Sequence, residues 1–190
     1  MANCGSIAAN FTLDCDNPMV PGVGDFLYLF NWEDWQNATI TTDASNPLGI
    51  TAITLASGIT GFKIQGNTNT NRPSDENASE GGRTQYLHRI NFFVADDAVS
   101  SIELQHDLNR GRFVAGLITN SGQIRIYGHG TGLVSVNQTQ GDYYANGGSI
   151  ALQLATDEEV PEAQPPKLFL GSASPYSFAT AKTEFEALIA

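Results

Sequence analysis

The sequence predicts a mainly β protein, a β-sandwich or partly closed barrel with one internal helix and a C-terminal helix. Three observations carry this reading. Short β-branched and aromatic runs recur between turn residues, most densely over 111–136, where 113–119, 123–127 and 133–136 are separated by Asn120-Ser121-Gly122 and by Gly128-His129-Gly130-Thr131-Gly132. Runs of that length between such turns are the sequence form of a β-meander. Residues 83–94 alternate along their whole length, with Tyr86, His88, Ile90, Phe92 and Val94 on one face. Helical spacing, by contrast, is confined to 98–109 and to the tail.

Taken in order, residues 1–24 lack periodicity and end in Pro21-Gly22-Val23-Gly24, an extended arm leading into a turn. Residues 25–31 put Phe26, Tyr28 and Phe30 on one face of a first strand. Trp32-Glu33-Asp34-Trp35 follows as a loop or helical turn, and 37–42 as a second strand. Residues 50–55 and 61–66 read as a hairpin around Ser57-Gly58. From 66 to 83 a single Ala is the only aliphatic side chain, and a loop so long and polar is normally disordered or functional. After the 83–94 strand, Val99, Ile102 and Leu108 give a helical stripe behind Asp96-Asp97.

The 113–118 run is apolar on both faces, which a strand tolerates only if each side is covered. Its neighbour alternates, Ile124 and Ile126 against Gln123, Arg125 and Tyr127, so it reads as half exposed. Ile150, Leu152 and Leu154 mark another strand over 148–156. The acidic, Pro-rich run 157–166 cannot be sheet interior. An edge strand at 167–170 follows. The tail spaces Phe178, Ala181, Phe185 and Leu188 helically, with Ser174 as N-cap and Pro175 at the first helical position. Such a helix needs its own sheet or a neighbour to dock on. The organisation is therefore an arm (1–24), a β domain (25–156) with the long loop 66–83, and a connector with helix (157–190).

Twenty acidic against nine basic residues give a net charge of -11 and a pI near 4.4, which argues against binding through nucleic-acid phosphates or anionic membrane. The surplus lies at the two ends: 1–71 carries one Lys against six acids and 126–190 two Lys against seven, while 72–125 sets six Arg against seven acids. Cys4 and Cys15 are too few for a disulfide framework, and two reduced thiols are the favoured reading over a bridge between them. No apolar stretch approaches the ~20 residues of a membrane span, and the N-terminal residues lack the basic start and apolar block of a signal peptide. The expectation is a soluble protein made inside a cell.

Motifs for chemistry are absent. His88, His106 and His129 match no zinc spacing. Asp14-Cys15-Asp16-Asn17 opens like a calcium loop but lacks the Gly at its sixth position and the closing Glu. Asp157, Glu158, Glu159 and Glu162 read as a solvated acidic loop before a cation site. With no nucleophile elbow, Cys–His pairing or phosphate-binding loop, the expectation is a non-enzyme without catalytic residues, cofactor or metal.

The Asp14-Cys15-Asp16-Asn17-Pro18 run, then Gly22-Val23-Gly24-Asp25 and an aromatic strand, resembles small structural proteins of tailed bacteriophages and prophages of Bacteroidetes. So do Ile53-Thr54-Leu55 with Ser57-Gly58 and Gly61-Phe62-Lys63, the Gly111-Arg112-Phe113-Val114 strand, Tyr127-Gly128 with Gly130 and Gly132-Leu133, and Gly148-Ser149-Ile150 running into an acidic stretch. Within that class the chain is most similar to a tail tube subunit. The resemblance implies hexameric rings that stack, an acidic lumen through which DNA passes without sticking, and a place in the virion after assembly in the bacterial cytoplasm. It implies partners that are copies of the chain and other virion proteins, with no membrane. Subunit bridges would come from the long loop, the arm and the terminal helix, through Asn67, Asn71, Arg72, Asp75, Glu76, Phe178 and Phe185. Two other readings stay open: a head decoration or head-to-tail completion protein, and a carbohydrate-binding β-sandwich using the aromatics Trp32, Trp35, Tyr143 and Tyr144 as sugar platforms.

Overall fold

The structure, a computed structural model, describes residues 22–66, 71–80, 83–94, 99–136 and 150–189. Within these the chain forms β1 (Val23–Asn31), α1 (Trp32–Gln36), β2 (Thr39–Thr42), β3 (Gly49–Thr54), β4 (Phe62–Gln65), β5 (Arg72–Glu80) and β6 (Arg83–Val94). It continues with α2 (Val99–Leu108), β7 (Arg112–Thr119), β8 (Ile124–Tyr127), β9 (Leu133–Ser135), β10 (Ile150–Thr156), β11 (Lys167–Phe169) and α3 (Phe178–Glu186). The fold is mainly β: a large mixed sheet, not closed into a barrel, with a C-terminal helix among its three described helices. The strand order is β2-β3-β11-β8-β7-β9-β10-β6-β5, with β1 on β7 and β4 on β1.

The centre is β1 against β7, antiparallel, with Leu29 opposite Ala115 and Phe30 opposite Val114. Alternation sends the side chains of each strand to two cores. Leu27, Leu29, Phe113, Ala115 and Leu117 join one that β6, β10 and α2 complete with Ile90, Phe92, Leu152, Leu154 and Leu108. Tyr28, Phe30 and Val114 join a second, closed by Trp35, Ile50, Phe169 and Phe185. Both faces of β7 are thus covered, as its unbroken apolar run requires. The buried faces of β6 and β10 are also the expected ones. On α2 the residues that pack on the core are the buried Leu108 and the partly buried Leu104, spaced i, i+4, while Ile102 is exposed and lies off the stripe.

Four elements depart from expectation. The supposed loop 66–83 contains β5, nine residues paired in register with β6 from Arg72 opposite Asn91 to Glu80 opposite Arg83. No hydrophobic pattern marks it because β5 is an edge strand: hydrogen bonds to β6 hold one side of its backbone, and its side chains need no core. The supposed hairpin of 50–55 with 61–66 is a crossover, since β3 pairs with β2 and β11 while β4 pairs with β1. The supposed edge strand β11 is internal, parallel to β3 and antiparallel to β8. Three residues are too few to show burial on both edges.

The 111–136 stretch is also not a simple meander. Phe113 pairs with both Asn31 of β1 and Leu133 of β9, so β9 lies on the edge of β7 away from β1, the same edge that β8 occupies. β8 and β9 are two halves of one partner, interrupted by residues 128–132. There the sheet divides, with β8 passing to β11 and β9 to β10. Tyr127, expected on a half-exposed face, is buried at this junction.

α3 docks on its own sheet. Ser177, not Ser174, is its N-cap, accepting from the Thr180 N–H. The segment before it is held off the helix by Tyr176, whose hydroxyl donates to the Gly122 carbonyl at 2.8 Å. The Phe185 ring meets Tyr28 and Phe30 edge-on, at centroid distances of 5.3 and 5.9 Å. It sits directly over Gly116, where any Cβ would overlap it.

Candidate functional sites

The β5–β6 hairpin reaches beyond the strands beside it. β10 covers β6 from Val94 only as far as Arg89, and past that the hairpin is held at its root by His88, bonded to Gly128 and Thr156, and by the bridge of Tyr86 to Glu162. The outer edge of β5 carries no neighbour among the described residues. Pro73 identifies which backbone groups face outward. A proline in a sheet sits where its missing N–H would point to solvent, so Asp75 and Asn77, two and four residues on, direct their N–H groups to the same free edge. Arg72, Asp75 and Glu76 are exposed along it, and Glu76 pairs with Arg89 at 3.8 Å.

Asn71 is different. It is buried, and its Nδ2 donates to the Gly24 carbonyl at 2.8 Å. It ties the start of β5 to β1 within one chain, and is therefore not a subunit contact. Phe185 is likewise removed from that role by full burial in the second core. Phe178 packs partly on the same core, with its ring beside Gly122. Trp35 is 1% exposed and packs on Phe30 at 5.5 Å, so it cannot serve as a surface platform. Asn67, Tyr143 and Tyr144, with Cys4 and Cys15, lie outside the described residues.

At the root of the hairpin lies a buried polar centre. His88 stands at a core position, as its place on the apolar face of the strand predicts, whereas Glu162, expected in a solvated acidic loop, is buried within it. The Glu162 carboxylate accepts from the Gly130 N–H at 2.9 and 3.1 Å and from the Thr131 N–H at 2.9 Å. Successive backbone N–H groups of a glycine-rich turn form a concavity for an anion. The turn closes on itself through Gly132 N–H to the Gly128 carbonyl, with both glycines at positive φ. The Gly128 N–H donates to His88 Nδ1 at 3.0 Å, and the His88 N–H donates to the Thr156 hydroxyl at 3.1 Å. The second ring nitrogen of His88 lies near the Gln164 carbonyl without closing a well-formed hydrogen bond. Burial pushes His88 down to about 4, against the opposing pull of Glu162. His129, bonded to the Pro165 carbonyl at 3.2 Å, is lowered by burial as well. Both rings are therefore neutral at neutral pH. The cluster is a clamp between strands, the turn and residues 157–166, and among the described residues no group of three or more His, Cys, Asp or Glu could hold a metal. The signal available in sequence was His88 among core positions together with Gly128, Gly130 and Gly132, but not the distant Glu162.

A third feature is an open cleft of about 850 Å³ beside α1, between Trp32 and the turn from α2 into β7. Trp32 is half-buried and Phe62 is 51% exposed at its wall. Arg112 is fixed there by Nη1 donating to the Thr131 carbonyl at 2.9 Å.

No helix among the described residues is long and apolar enough to cross a membrane. No family model, no curated protein and no solved structure matches the chain.

Proposed function

We propose that the chain is a non-enzymatic structural subunit that associates with copies of itself along the free edge of β5, and that it serves as a building block of a bacteriophage virion, in the manner of a tail tube. The observation that carries the self-assembly is the nine-residue edge strand on a hairpin extending past β10. An unpaired strand edge is a template for another strand. The hairpin root is clamped by Glu162 and His88, so its direction is set before a partner arrives. The tail-tube assignment rests on the sequence resemblance, and the net charge of -11 is in keeping with a lumen that repels passing DNA.

The test is light scattering and negative-stain microscopy over a range of concentration and salt, on the wild type and on Asn77→Pro. That substitution removes an edge donor and leaves the ladder to β6 intact. Rings or tubes from the wild type, lost in a folded Asn77→Pro, support the proposal. A wild type that stays monomeric throughout, or a variant that assembles undiminished, overturns it.

A further inference from the structure

We propose that the cleft beside α1 binds a neutral carbohydrate chain, with Phe62 and Trp32 lying against sugar rings and the polar groups around them bonding the hydroxyls. This site is separate from the β5 edge and does not rest on self-assembly. The aromatic surface comes first. Phe62 stands on β4 with half its area in water, although a phenyl ring gains on the order of 2 kcal/mol from full burial. Trp32 packs beside Gly132 and Arg112 and still lines the cleft. A pyranose presents an apolar C–H face and a polar rim, and so suits a ring surrounded by donors and acceptors.

The polar groups are already oriented, which lowers the entropy lost on binding. Asn31 Nδ2 donates to Asp34 Oδ2 at 3.0 Å. His106 lies between Asp107 and Arg110, at 3.5 Å from each. Arg112 is held by the Thr131 carbonyl. The charges nearly cancel, with Arg110 and Arg112 lining the cleft together with Glu33, Asp34 and Asp107. Donors and acceptors are thus mixed, with no local field to attract a charged ligand, while the chain as a whole repels polyanions.

The test titrates the full chain with maltohexaose, cellohexaose, mannohexaose and chitohexaose, reading tryptophan fluorescence and saturation-transfer NMR. Polygalacturonate is the anionic comparison. The expected result is saturable binding of at least one neutral hexasaccharide, weakened about tenfold or more in Phe62→Ala with its melting temperature close to wild type. Arg110→Ala, also at the surface, reports the polar wall independently and should weaken the same ligand. No saturable response to any neutral sugar up to about 10 mM, tighter binding of polygalacturonate, or affinity unchanged in both variants would overturn the proposal.

Discussion

The carboxylate of Glu162 rests on the backbone N–H of Gly130 at 2.9 and 3.1 Å, although 32 residues separate them in the chain. Glu162 is 1% exposed, and its own backbone closes both hydrogen bonds to Tyr86, at 2.9 and 3.0 Å. One residue therefore ties the 128–132 turn to the base of the β5–β6 hairpin. Glu162→Ala removes the shared acceptor of the Gly130 and Thr131 N–H groups. Thr131 is half-buried and Gly130 exposed, so the full cost of a lost partner, about 1–3 kcal/mol, applies to the first and water partly replaces it at the second. We expect a total loss of about 1–3 kcal/mol in urea unfolding. A loss under about 0.5 kcal/mol would mean that water reaches those groups and that the clamp is not closed.

The His88 ring makes the same clamp sensitive to acid. It accepts the Gly128 N–H at Nδ1, and protonation would set two donors against each other. Its pKa is about 4 when folded, lowered by burial, against about 6.5 when unfolded. Between those values the unfolded chain binds more protons, so stability falls as pH drops from 6.5 to 4 and levels off below. The loss from this ring is on the order of 3 kcal/mol, and His129, shifted in the same direction, adds to it. His88→Asn keeps an acceptor for Gly128 and removes one titration. Its melting temperature should fall less than that of wild type across this window, and parallel pH curves would refute the assignment.

What could be read in the sequence divides along burial. Leu27 with Leu29, Tyr28 with Phe30, and the run from Phe113 to Ile118 announce strands because each side chain meets a core. β5 has the same backbone geometry and announces nothing, because polar side chains at an edge leave no alternation to read. β11 fails for a different reason: its burial comes from two neighbours supplied by residues more than forty positions away. The candidate sites follow that division. Trp32 was legible as an aromatic near a turn, whereas its separation from Trp35, one in a cleft and one in the core, depends on how α1 lies on β1.

The ion pair between Glu76 and Arg89 is the control for the hairpin. Its side chains are 61% and 34% exposed, and 3.8 Å is a long contact. Pairs of this kind contribute about 0–1 kcal/mol. Glu76→Gln should leave the urea midpoint within experimental scatter. A loss above about 1 kcal/mol would show that the pair holds the hairpin in place, and effects of edge substitutions on assembly would then need correction for it.

Gly116 and Phe185 set how closely α3 approaches the sheet. The phenyl ring lies where a side chain at position 116 would stand, so Gly116→Ala forces the ring off its contacts with Tyr28, Phe30 and Phe169. Overpacking of this kind costs about 1–3 kcal/mol. Phe185→Leu alone loses ring contacts and leaves space, also at about 1–3 kcal/mol. Together the two changes should partly cancel, because the added methyl enters the space the smaller side chain vacates. A double-mutant cycle is expected to give a favourable coupling of about 1 kcal/mol or more. Strict additivity would mean that α3 moves as a body away from β7, and the Tyr28 hydroxyl would then lose its 3.0 Å bond to Glu186. Burial and Glu186 together hold that tyrosine's ionisation well above its ordinary value. The spectroscopic titration of Tyr28 therefore distinguishes the outcomes: it stays shifted if the double variant repacks in place and moves back toward an ordinary tyrosine if the helix has lifted.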